Sequence, residues 1–109
     1  MIKAGIDLVL NKRLKKNLNN ESFLKKVFHP TELKHPKQKL PGIFALKEAT
    51  MKALGKKLDW LDIEISAKSG RKPKIFLSET IKPKNLKSVD ASLSHDGDYT
   101  IGIVVIDLN

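Results

Sequence analysis

"LPGIFALKEATMKALGKK", residues 40–57, decides how the rest of this chain is read. Pro41 stands where a first helical turn tolerates a residue without an N–H. Gly55 stands where a helix ends in the left-handed region. Between them Ala45, Leu46, Ala49, Met51, Ala53 and Leu54 are good helix formers. This is the clearest helix in the chain. Before and after it the pattern changes to a period of two. Residues 2–9 alternate, with Ile2, Ala4, Ile6 and Leu8 on one face and Lys3, Gly5, Asp7 and Val9 on the other, which predicts a strand with one buried face. Leu61, Ile63 and Ile65 alternate with Asp62 and Glu64. The turn "AKSGRKP" and the short run "KIFLS" follow, so residues 61–78 read as a hairpin. Residues 89–95 and 99–107 form a last hairpin around Asp96-Gly97-Asp98, after an irregular connection over 79–88.

Short helices fill the space between the first strand and the long helix. Phe23, Leu24, Val27 and Phe28 recur at helical spacing, Asn11 or Asn20 can cap, and Pro30-Thr31 fits a helix start that Pro36 closes. The order is strand, helices, then four strands in two hairpins. It predicts an α+β fold in one domain, 1–109, with a mainly antiparallel sheet packed on one long helix plus short helices.

The 109 residues contain no cysteine, which removes disulfides and thiolate sites and suits a reducing cytosol. The longest apolar run, Ile101 to Ile106, is far too short for a membrane span. The N-terminal stretch carries Asp7 in its middle and no small-residue cleavage pattern, so a cytoplasmic protein is expected, with no membrane partner. The net charge of +9 is uneven: between residues 12 and 39, nine lysines and arginines face only Glu21 and Glu32. Such a field speeds association with an anionic partner without identifying it. A lysine-rich solvated surface explains it as well. A nucleic-acid-binding module is one alternative, but there are only six aromatics, none interleaved with the lysines.

Three places carry chemistry that a plain core does not need. Asp7 lies mid-strand, where aspartate is depleted; an edge or solvent-facing position is the plainer explanation. Glu48 and Lys52 share a face of the long helix, and a pair at this spacing is ordinarily surface decoration worth about 0.2–0.5 kcal/mol. The closing stretch "SLSHDG", 92–97, puts hydroxyls, a histidine and an aspartate around a glycine. A Ser94–His95–Asp96 triad is disfavoured, because neighbouring strand residues point to opposite faces. His29 and His35 have no metal-like spacing. Two carboxylates on separate elements, a lysine and a turn at Gly70–Pro73 suit Mg²⁺ and a phosphate group instead. There is no Walker loop and no Gly-x-Gly-x-x-Gly pattern.

Taken together, "GIDLVLNKR", "FALKEATMKALG", "DIEIS" with "GRKP", and "ASLSHDGDYTIGIVV" resemble, in order and over nearly the whole chain, the holo-[acyl-carrier-protein] synthase family of small bacterial-type 4'-phosphopantetheinyl transferases. The resemblance implies the 4'-phosphopantetheinyl transferase fold. It also implies a Mg²⁺-dependent enzyme that moves the phosphopantetheine arm of coenzyme A to a serine of apo-acyl carrier protein, releasing adenosine 3',5'-bisphosphate for fatty acid biosynthesis. By this resemblance Asp7 and Glu48 are the metal ligands. Lys52 is a catalytic residue that contacts the coenzyme A phosphates. Gly70, Lys72 and Pro73 border the nucleotide, Ser94 and His95 line the coenzyme A pocket, and Arg13 docks the acidic carrier protein. It further implies a homotrimer with active sites between subunits. The sequence departs from the family pattern at Leu10, where many members carry an acid, and at Ile43, where many carry an arginine. It departs again at "GKKLD", which is shorter and more basic than the usual glycine-rich loop. An impaired member that still binds coenzyme A or carrier protein is therefore a further reading.

Overall fold

A computed structural model describes all residues, Met1–Asn109. Strand β1 (Ile2–Leu10) leads into α1 (Asn11–Lys15), α2 (Glu21–Val27), α3 (Pro30–Leu33) and, after a 3₁₀ turn, the long helix α4 (Leu40–Leu54). A second 3₁₀ turn over Trp60–Asp62 precedes β2 (Ile63–Ser66) and β3 (Lys74–Leu77), followed by β4 (Leu86–Asp96) and β5 (Tyr99–Leu108). The fold is α+β, as the periodicity predicts. The strands form two sheets: three-stranded β1-β5-β4 and two-stranded β2-β3, antiparallel throughout. No helix is long and apolar enough to cross a membrane.

The local signals act where expected. Pro41 occupies the first turn of α4, and Gly55 closes the helix at φ 74° with its N–H on the Met51 and Lys52 carbonyls. Asn20 caps α2 by accepting from the Phe23 N–H. Asn11 does not cap; it is the first residue of α1. Leu61 falls in the 3₁₀ turn rather than in β2, whose Ile63 and Ile65 are buried.

One expectation inverts. The apolar face of β1 is not the buried one: Ile2, Ile6 and Leu8 are 63%, 55% and 61% exposed. The buried face carries Gly5 and Val9, packed under α4. Gly5 explains the inversion. A Cβ there would collide with the Ala49 carbonyl oxygen and come within 2.7 Å of the Ala53 nitrogen. The helix therefore lies directly on the strand backbone at Gly5, which brings its Glu48–Lys52 segment beside Asp7. The core continues through Leu46, Ala49, Val104 and Ile106 between helix and sheet, and through Val27, Phe28, Ile43 and Ile63 on the helix's other side.

A buried ion pair locks α4 against the smaller sheet. Lys47 and Glu32 have no exposed side-chain surface, and their charged atoms lie 2.7 Å apart. The Lys47 ammonium also donates to the Val27 and Trp60 carbonyls. The Glu32 carboxylate accepts from the His29 and Ile65 N–H groups. Burial pushes the Lys47 amine down and the Glu32 carboxylate opposes it.

Candidate functional site

Asp7 sits on the inner face of β1 with a side chain only 15% exposed, at the edge of α4. Lys52, 45 positions away in sequence, donates to the Ile6 carbonyl at 3.0 Å and to Asp7 Oδ1 at 3.3 Å. It therefore turns to the strand rather than forming the intrahelical pair with Glu48 that its spacing permits. Glu48 lies close enough for the Asp7 charge to act on it. Burial raises the affinity of both carboxylates for protons. For Glu48 the Asp7 charge adds to the effect; for Asp7 the Lys52 ammonium opposes it. Two partly buried carboxylates that raise one another's charge cost, opposed by Lys52 and, at Glu48, also by Lys57, are an under-neutralised oxygen donor set. That is the chemistry a hard divalent cation satisfies.

Glu48 is shared by two cavities. One, of about 230 Å³, is lined by Asp7, Leu10, Arg13 and Phe44 among others. The second, of about 550 Å³, runs past Lys52 to Lys56, Lys57 and Trp60. Phe44 and Trp60 stack at 5.1 Å between centroids and form the apolar wall beside the carboxylates. Leu10, one of the departures noted above, lines the first cavity. Ile43, the other, is fully buried in the core and makes no part of either wall.

A third cavity, of about 360 Å³, brings together Gly70, Pro73 and His95. Three cationic residues that sequence reasoning did not single out, Lys39, Lys68 and Arg71, also line it. Lys39 is held there by the Ala67 carbonyl and the Ser69 hydroxyl. Gly70 adopts φ 72° with its Cβ direction open, so the turn approaches the cavity with backbone alone. Ser94 and Lys72 lie elsewhere. Ser94 pairs with Ile101 on the outer face of the sheet, whereas His95 pairs with Thr100 on the inner face. Lys72 turns to Asp90, 2.7 Å away, and holds that carboxyl below its usual range. Within one chain, then, the carboxylate pair and the cationic cavity are separate and share no lining residue.

A sequence model of the 4'-phosphopantetheinyl transferase superfamily matches residues 3–104, taking in Asp7, Glu48, Lys52 and His95. The chain belongs to this superfamily. It is 39% identical over 112 aligned residues, 94% of each chain, to the holo-[acyl-carrier-protein] synthase of Helicobacter pylori. It is 37% identical to that of Nautilia profundicola, over 94% of this chain and 96% of the other. The crystal structure of the Helicobacter pylori synthase in complex with coenzyme A superposes with a TM-score of 0.85, covering 98% of this chain and all of that one at 36% identity. The expected fold is therefore the observed one, and the chain is a transferase of the holo-[acyl-carrier-protein] synthase type.

Composition and spacing could not show that the carboxylate pair and the Gly70–His95 cavity share no lining residue within one chain. Lys39, Lys68 and Arg71 read as members of a general lysine excess. Only the fold gathers them, and only the proximity of Gly70 and His95 distinguishes them from other surface cations.

Proposed function

We propose that this chain, as one domain over 1–109, transfers the 4'-phosphopantetheine group of coenzyme A to a serine of an acidic apo-acyl carrier protein in the cytoplasm, with Mg²⁺ as cofactor. The observation that carries this reading is the meeting of Asp7 and Glu48, with Lys52 bonded to Asp7, at the point where two cavities join. Asp7 and Glu48 would hold a Mg²⁺ ion, which would supply charge neutralisation at the coenzyme A pyrophosphate. No group of three or more His, Asp or Glu side chains could hold a metal ion by itself, so the ion would need further oxygen ligands from substrate or solvent, which is how it is usually held.

The remaining work belongs to the chain's own residues. The serine oxygen forms a bond to the phosphorus bearing pantetheine. The bond from that phosphorus to the bridging oxygen breaks, and adenosine 3',5'-bisphosphate leaves. Lys52, with Lys56 and Lys57 behind it, offsets charge on the departing phosphate. The serine proton passes to a carboxylate of the pair. Arg13, beside Asp7 in the smaller cavity, meets the acidic carrier protein.

The cationic cavity at Gly70, Pro73 and His95 takes the nucleotide end. Because it is separate from the carboxylates in one chain, the complete site forms between two copies. The outer face of β1 and β5 supports such an assembly. Ile6 faces Ile103, Leu8 faces Ile101 and Leu10 faces Tyr99, and Ile6, Leu8, Ile103 and Tyr99 are all exposed. Ser94 and Lys72, on this same outer side, then meet a neighbouring copy, and a trimer closes the arrangement. Chromatographic quantification of adenosine 3',5'-bisphosphate tests the reading. Release should require both apo-carrier protein and Mg²⁺, and release without carrier protein would contradict transfer to a serine.

A further inference from the structure

Helix α4 holds Trp60 at two points. The Trp60 ring stacks on Phe44, and the Trp60 carbonyl accepts from the Lys47 ammonium at 3.3 Å. Phe44 and Lys47 stand three apart, so they are neighbours on the helix surface. Phe44 lines the smaller of the two cavities that meet at Glu48, and Trp60 lines the larger. The stacked rings therefore stand between them. Residues 56–59, just before Trp60, belong to no helix or strand and give it no support from that side. Lys47 spends all three of its N–H groups inside the fold: on the Trp60 carbonyl, on the Val27 carbonyl at 2.7 Å and on Glu32 Oε1 at 2.7 Å. Glu32 is itself fixed by the His29 N–H at 2.7 Å and the Ile65 N–H at 2.8 Å. Replacing both members of a buried ion pair by apolar groups often costs no stability. Stability alone therefore does not account for this pair, and neither residue lines either cavity.

We propose that Lys47 and Glu32 are positioning residues: they fix the Trp60 backbone so that its ring stays on Phe44 and the cavity beside Glu48 and Lys52 keeps the shape that coenzyme A needs. Lys47 supplies the grip, and Glu32 holds the Lys47 ammonium where it reaches the Trp60 carbonyl. The same two segments are tied again around the pair, by His29 Nε2 donating to the Leu61 carbonyl at 2.8 Å and by the Thr31 hydroxyl donating to Glu64 at 2.7 Å. Trp60 thus sits on a rigid frame although the chain before it is irregular. The part played in coenzyme A binding rests on the transferase reading; the hold on Trp60 does not.

Trp60 is the only tryptophan, so fluorescence of the intact protein reports its surroundings alone. In the wild type the anisotropy decay should show a rigid indole. A dominant fast component there would overturn the hold on Trp60 whether or not any variant folds. Lys47→Met combined with Glu32→Gln removes the bond to Trp60 and leaves no buried charge. Well below its thermal midpoint, this variant should show a mobile indole and steeper quenching by acrylamide. Its KM for coenzyme A should rise about tenfold, the loss of one charge-assisted hydrogen bond, with a smaller change in kcat. Trp60→Ala shows whether the effect runs through the ring: adding the two core substitutions to it should move KM no further. Unchanged fluorescence in the folded variant would overturn the hold, and additive KM effects would overturn the route through Trp60. A fall in kcat at unchanged KM would reduce the pair to a structural role. An absence of any turnover by the wild type would defeat the transferase reading alone and leave the fluorescence to decide the hold.

Discussion

At Asp7 and Glu48 the chain holds two carboxylates where ionisation is unfavourable. Both have proton affinities raised above the ordinary values of 3.8 and 4.5, first by burial. The sign of the consequence is fixed. Relative to the unfolded chain, the pair is most favourable below those ordinary values, and that advantage is lost as pH rises through the raised folded values. Metal-free protein should therefore lose stability over this range as pH rises, and Mg²⁺ should restore it, with a larger thermal shift at pH 7 than at pH 4. Asp7→Asn should stabilise the metal-free protein while lowering turnover on the order of a hundredfold or more. Paired thermal melts and activity assays check both. A destabilised Asp7→Asn would mean that the Lys52 contact outweighs the burial cost. Asp7 was legible in the sequence as a residue out of place on a strand, whereas Glu48 with Lys52 read as ordinary surface decoration until the motifs were taken together. Lys39 and Arg71 were not legible, because a lysine or arginine among twenty-one has no local mark until the fold surrounds it.

At the scale of elements, α4 and β1 are a unit. The helix touches the strand at Gly5, where a side chain would strike three backbone atoms that cannot move without shifting the helix. Gly5→Ala should cost about 3 kcal/mol in urea unfolding, with greater loss of activity than that stability alone explains, because the same shift separates Glu48 from Asp7. Lys47 acts on the opposite side. Lys47→Met leaves the Glu32 charge buried without its partner and should cost about 3–5 kcal/mol. Adding Glu32→Gln should recover part of it, since the neutral amide oxygen still accepts a backbone N–H. The periodicity of residues 2–9 located β1 correctly, but it suggested the wrong buried face. Alternation reports two chemically different faces, not which of them meets the helix. Gly5 was the residue that carried that information.

At the scale of the whole molecule, an apolar sheet face lies open on one side, and the carboxylate pair and the cationic cavity lie apart in one chain. Under the proposed function both features call for association. Ile6→Glu should yield a folded species of lower mass by sedimentation, with activity reduced accordingly. If sites form between copies, Asp7→Ala and His95→Gln, each impaired alone, should regain activity when refolded together, because some mixed assemblies pair an intact carboxylate half with an intact nucleotide half. A mixture no more active than its components would place both halves in one chain. The measurement that tests the central claim most directly is the intact mass of apo-acyl carrier protein after incubation with this protein and coenzyme A, with and without Mg²⁺. The account predicts a gain of one phosphopantetheine when Mg²⁺ is present and none when it is chelated. An unchanged mass across several carrier proteins in the presence of Mg²⁺ would contradict it.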